Sequence, residues 1–137
     1  MQVQPYLFFE GRTEEALGFY REALGAEVTA LMRFRDAPDP PPPGMVPPGS
    51  EDKVMHAEFR VGGATLMASD GRCSGQARFG GVSLALSMPD EETADRLFAA
   101  LAEGGQVQMP LGKTFFSPRF GVVADRFGVS WMVMSPL

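Results

Sequence analysis

A stretch near the start of the chain, LFFEGRTEEALGFYREAL (7–24), returns as LALSMPDEETADRLFAAL (84–101). Each copy is a short apolar run, then an acidic turn, then apolar residues at helical spacing. A second pair, GGATLMAS (62–69) and FGVSWMVM (127–134), shares Gly63/Gly128 and Met67/Met132. An internal repeat constrains architecture more than any single motif, because both copies must solve the same packing problem. Here the copies lie about 65 to 78 residues apart, too far for the short units of a solenoid. The chain of 137 residues therefore reads as two copies of one small module.

The pattern within each copy gives the module. VQPYLFF (3–9) is apolar and β-prone and ends at Glu10-Gly11, so it is predicted as a strand. TEEALGFYREALGAE follows with Thr13 as a candidate cap and Glu14 and Glu15 where the helix dipole favours acids. Ala16, Phe19, Tyr20 and Ala23 recur at helical spacing, and Gly25 stands where a left-handed residue ends a helix. EVTALMRF is a strand. Residues 36–50, DAPDPPPPGMVPPGS, hold seven of the twelve prolines. Proline lacks the donor that helices and sheets need, so this is a loop, read either as a lid or as an insertion. KVMHAEFRV and ATLMASD form a hairpin turned at Gly62-Gly63. After a polar connection the order repeats: the strand VSLALSM, a helix starting near Pro89 and ending at Gly104-Gly105, then three strands. The fold class is α+β: two βαβββ modules, about 1–71 and 79–137, in one domain spanning 1–137. Their strands are expected to build a curved, eight-stranded mixed sheet.

Composition narrows function mainly by exclusion. The net charge of −5 and the lack of any Lys/Arg run argue against nucleic acid or an anionic membrane as partner. The lone Cys73 permits no intrachain disulfide, and no signal or membrane-spanning run is seen, so a cytoplasmic protein is expected. Arginine outnumbers lysine ten to two, and isoleucine and asparagine are missing, as in a GC-rich bacterial genome. No phosphate-binding loop is present. The glycines of GGATLMASDG lack the strand-turn-helix context of a dinucleotide site.

The paired modules resemble the vicinal-oxygen-chelate superfamily of glyoxalases, bleomycin- and fosfomycin-resistance proteins and extradiol dioxygenases. PYLFFEGRTEEALGFYREALGAEV, MHAEFRVGGATLMASD and MPLGKTFFSPRFGVVADRFGVSWMV are similar to its PhnB-like branch, and they cover nearly everything but the proline loop. Some members of that branch carry a demethylubiquinone methyltransferase label, although nothing here reads as an adenosyl-methionine site. The resemblance implies a ligand-binding concave sheet face, and a homodimer. It also implies metal ligands of His, Glu or Gln type, one from the first and one from the last strand of each module. Matched by strand alternation, those positions fall on Gln4, Gly81, Met67 and Met132. Only Gln4 can ligate a hard metal. No cofactor is therefore expected, although a divalent metal held by His56, Glu58 and Gln4 in another arrangement stays open.

Alternation then selects the ligand-facing residues. In VMHAEFRV, Met55, Ala57, Phe59 and Val61 pack under the helices, while His56, Glu58 and Arg60 face the concave side. Gln4 and Tyr6 share that side, with Leu7 and Phe9 in the core; Met67, Ser83 and Met132 complete a pocket floor with two adaptable thioethers. In KTFFSPRFG, Phe116 and Arg119 are candidates for holding a planar or anionic ligand. The lone histidine, His56, is a hydrogen-bonding or acid–base group that Glu58 could orient. The bland alternative is a solvated His-Glu-Arg ladder. Trp131 is expected in the core, and Cys73 has no base beside it. The reading is a small-molecule binding protein with a partly apolar ligand. The alternatives are a metal-dependent lyase, isomerase or dioxygenase, metal-free acid–base catalysis by His56 and Glu58, or an antibiotic-sequestering protein.

Overall fold

The computed structural model describes residues 1–136. Two compact units appear, Met1–Arg78 and the remainder from Phe79 onward. The first holds β1 (Tyr6–Phe8), α1 (Thr13–Leu24), β2 (Glu27–Arg33), β3 (Val54–Val61) and β4 (Ala64–Ser69). The second holds β5 (Ser83–Ser87), α2 (Glu91–Ala102), β6 (Gln106–Gly112), β7 (Phe120–Ala124) and β8 (Ser130–Met134). Both are βαβββ, as the repeat requires. The eight strands are hydrogen-bonded as two mixed sheets of four, ordered β1-β4-β3-β2 and β5-β8-β7-β6, rather than as one continuous ladder. In each sheet the first strand runs parallel to the last, and the other pairs are antiparallel.

The first strand is shorter than its apolar run. Pro5 has no N–H to donate, so it contributes only a carbonyl, which accepts from Met67 N at 2.9 Å; the regular ladder starts at Tyr6. Leu7 and Phe9 are buried, and the Tyr20 ring of α1 stacks on Phe59 of β3, 5.9 Å between centroids. Ala16, Leu17 and Tyr20 thus seat α1 on the Ala57, Phe59, Leu66 and Ala68 side of its sheet. Each large apolar side chain so buried contributes roughly 1.5–3 kcal/mol. Gly25 closes α1 with φ +67°, its N–H bonded to Arg21 O, and Gly62 turns the β3–β4 hairpin with φ +58°.

Thr13 is not the helix cap. It is the first helical residue, fully buried, with Arg12 before it. Asp70 caps the helix from across the sheet: its Oδ1 accepts from Gly11 N and Thr13 N, both at 2.9 Å, and its Oδ2 from Val54 N at 2.8 Å. Helix α2 is capped locally, Asp90 accepting from Thr93 N at 2.7 Å. In the second unit, Trp131, Val123 and Val133 are buried on the α2 side. The Trp131 indole N–H donates to Asp125 Oδ2 at 2.8 Å.

The proline loop forms no regular element after a short 3-10 turn at Phe34–Asp36. It is ordered by its own contacts, Ser50 donating to Pro47 O at 2.7 Å and Arg35 pairing with Asp52. Loop residues and Phe34 border a hollow of about 300 Å³. Among the described residues no helix is long and apolar enough to cross a membrane.

Candidate functional site

The first unit's sheet has one face under α1 and one free of helix. Strand register assembles the free face. Tyr6 pairs with Met67, Met67 with Glu58, and Glu58 with Ala30, giving one row across all four strands. On the next row Phe8 pairs with Ser69, and His56 pairs with Met32. The sequence separates these residues widely; the parallel β1–β4 pairing unites them.

On this face three polar groups join in a chain. Tyr6 Oη lies 2.8 Å from His56 Nδ1, and His56 Nε2 lies 3.5 Å from Glu58 Oε1. The Tyr6 ring also stacks on Phe8, with centroids 5.0 Å apart and planes at 24°, and tilts against the imidazole at 5.6 Å. Partial desolvation raises the Tyr6 phenol above its ordinary range, and a hydrogen bond with Ser69 pulls it partly back. The phenol therefore keeps its proton at neutral pH, so it can donate to Nδ1 of one imidazole tautomer or accept from Nδ1–H of the other. In the tautomer whose Nδ1 accepts, the imidazole N–H is on Nε2, turned to the Glu58 carboxylate. The frame is apolar and open to solvent: Tyr6 is 37 % exposed, Phe8 49 % and Met32 43 %. Arg60, further along β3, is tied to Glu27 at 3.0 Å.

Gln4 sits partly exposed just ahead of β1. Continuing the ladder by two residues sets it level with Thr65. The corresponding row of the second unit pairs Ser83 with Ser130, their hydroxyls 2.7 Å apart. The first-strand position of that module is therefore Ser83. Gly81, the expected match to Gln4, lies ahead of β5 in a turn with φ +78°. Met132 stands between Ala85 and Val122. The positions that carry metal ligands in the resembling superfamily thus hold an amide, a hydroxyl and two thioethers. His56 and Glu58 add one nitrogen and one carboxylate. Among the described residues no three His, Cys, Asp or Glu side chains converge.

Phe116 packs edge-on against Phe120 at 4.9 Å, leaving Phe115 almost fully exposed. Arg119 turns the other way, to α2, where it meets Glu91 at 3.1 Å and Asp95 at 3.1 Å. Its guanidinium is already matched by two carboxylates one helical turn apart, so it does not stand beside Phe116 as a free cation. Cys73 lies in the 70–76 turn with φ +55°, and burial pushes its thiol up, away from the reactive thiolate. Two residues on the site were not singled out in the sequence. Phe8 follows from the alternation that places Tyr6, while Met32 on edge strand β2 depends on a bulged register.

Two βαβββ units, each a mixed four-stranded sheet with its helix on one face, define a glyoxalase/bleomycin-resistance-like fold. At the level of fold the likeness reaches the fosfomycin resistance protein FosX from Listeria monocytogenes, with a TM-score of 0.66 at 13% identity over 100% of this chain and 93% of that one. The chain belongs to the PhnB-like family whose model, described as 3-demethylubiquinone-9 3-methyltransferase, matches residues 1–134. It is similar to protein PA1353 from Pseudomonas aeruginosa, at 43% identity and TM-score 0.85 over 99% of this chain and 98% of that one. It resembles the PhnB protein from Bacillus cereus at 31% identity and TM-score 0.80, covering 98% and 99%. Protein YjdN of Escherichia coli K12 is 35% identical over 97% of this chain and 94% of its own length.

Proposed function

We propose that this protein binds a small, partly apolar molecule on the helix-free face of its first sheet, without the hard-metal site of its superfamily. The observation that carries the reading is the Tyr6–His56–Glu58 chain beside exposed Phe8 and Met32 and half-buried Met67. Large apolar side chains grouped at a surface around a few convergent polar groups are the usual makings of a ligand site. Methionine floors adapt to irregular ligands. The donor set supports the metal-free part: a hard divalent ion needs several imidazole or carboxylate ligands, and thioethers suit softer ions. Gln4 stands near as a further polar contact. Ser83 and Met132 lie in the second unit, whose own sheet is proposed to offer a comparable surface, and Phe116 of that unit packs against Phe120.

The test is a methyl-resolved NMR screen of small aromatic and aliphatic compounds, including antibiotics, on protein labelled at methionine methyls. Shifts confined to Met32 and Met67, lost in His56→Ala, support the reading. Shifts confined to the proline-loop hollow, or a stoichiometric hard metal lost in His56→Ala, would overturn it.

The 2.8 Å Tyr6–His56 contact favours a second reading, in which the same chain moves a proton during turnover. A turnover screen that includes methyl transfer to phenols, run on wild type and His56→Gln, separates it from binding alone. Activity lost with affinity kept marks an enzyme.

A further inference from the structure

We infer that the ligand of this face is an organic cation, an ammonium or amidinium group on an apolar or aromatic body. The inference rests on the reading that the face binds a ligand, and adds the ligand's charge. It comes from the balance of groups along β3. Glu27 answers Arg60 at 3.0 Å, so that pair closes on itself. Glu58 has no such partner: among the described residues it meets only the His56 ring, at 3.5 Å, and no Lys or Arg pairs with it. An imidazole, unlike a guanidinium or an ammonium, is not a permanent cation, so this contact does not close the pair as Arg60 closes Glu27. One carboxylate with no Lys or Arg partner therefore stands in the row, its side chain 42 % exposed.

On the far side of Met67 in the same row lies Tyr6, its ring stacked on Phe8, both part-exposed. Aromatic faces attract cations through their quadrupole, and thioether sulfur at Met67, adjacent to both Tyr6 and Glu58 on the ladder, is polarizable. An anionic ligand would meet the Glu58 charge, which no Lys or Arg among the described residues pairs with. A neutral one would leave that carboxylate partly desolvated and unmatched. A cation satisfies carboxylate and rings together. The chain's net charge of −5 draws in the same sign of ligand.

Three probes of similar size separate the possibilities: benzyltrimethylammonium, benzyl alcohol and phenylacetate, titrated at neutral pH with the Met32 and Met67 methyls as readout. The expected result is that the cation binds about tenfold more tightly than the alcohol, with phenylacetate weakest. In Glu58→Gln the cation falls to within about twofold of the alcohol measured on the same variant. Added salt should weaken the cation and leave the alcohol alone. Circular dichroism confirms that the variant, altered at a part-exposed position, is folded. Equal affinity for cation and alcohol, or a cation preference that survives Glu58→Gln, overturns the inference and leaves the binding reading standing. If no probe shifts either methyl, the binding reading falls and the inference with it.

Discussion

Replacing Asp70 with asparagine tests how the candidate site is held in place. Asp70 directly follows β4 and is 1 % exposed. Its carboxylate binds the entry to α1 through Gly11 and Thr13, and the start of β3 through Val54, two residues before His56. It thus fixes the height of β3 against β4 and anchors the helix on the opposite face. Asparagine is nearly the same shape but has one acceptor oxygen. If that oxygen keeps Gly11 and Thr13, the amide N–H₂ confronts the Val54 N–H, donor against donor. An orphaned buried donor costs about 1–3 kcal/mol, and the two surviving bonds lose their charge assistance, about 1 kcal/mol each. The expected loss is therefore about 3–5 kcal/mol, a large part of the usual stability of roughly 5–15 kcal/mol. With an m-value of about 2 kcal/mol/M, the urea midpoint should fall by about 2 M. Urea melts followed by far-UV circular dichroism measure it. A loss below about 1 kcal/mol, with m unchanged, would refute the claim that this carboxylate ties helix and strand together.

Tyr6 should ionise above the usual phenol range in a 295-nm titration. Because the folded state holds that proton longer than the unfolded chain does, its contribution is intact below the unfolded pKa and stability falls as pH rises through the folded one; Tyr6→Phe should remove this slope. Asp90 is held below its ordinary range by the Thr93 N–H, so its cap acts above the unfolded carboxylate pKa and fades as pH falls through the folded value; Asp90→Ala should lower the melting temperature at neutral pH and make no difference in strong acid. Gly121→Ala places a Cβ 2.8 Å from Phe98 and 2.9 Å from the Leu111 backbone, so a loss of about 1–3 kcal/mol is expected by thermal denaturation. Light scattering on a sizing column should give the mass of a homodimer, as edge strands β2 and β6 expose Leu31, Met32, Val107 and Met109; a monomeric mass at micromolar concentration would count against it.

Much of the fold was legible because its signals are local. The repeat, the helix ends, the Gly62-Gly63 hairpin and the proline loop each lie within a few residues, and alternation placed Leu7, Phe9, Ala57, Phe59 and Trp131 in the core. The same rule set Tyr6, His56 and Glu58 on the helix-free face. What alternation cannot give is the row. A slip of two residues keeps every side chain on its face, so Gly81 and Ser83 were equally consistent with the pattern. Only the hydrogen-bonded ladder, with Ala85 opposite Met132, chose between them.

The amino-acid order alone determined two βαβββ modules and which faces carry polar groups, since burial and backbone periodicity act over short spans. Tertiary structure alone decided the rest. It brought Tyr6 to His56 across 50 residues, drew Arg119 to the carboxylates of α2, and made Asp70 rather than Thr13 the cap of α1. Each is a pairing of groups distant in the chain. Such pairings depend on which strand lies beside which, and on the distances that follow, and no local pattern encodes either.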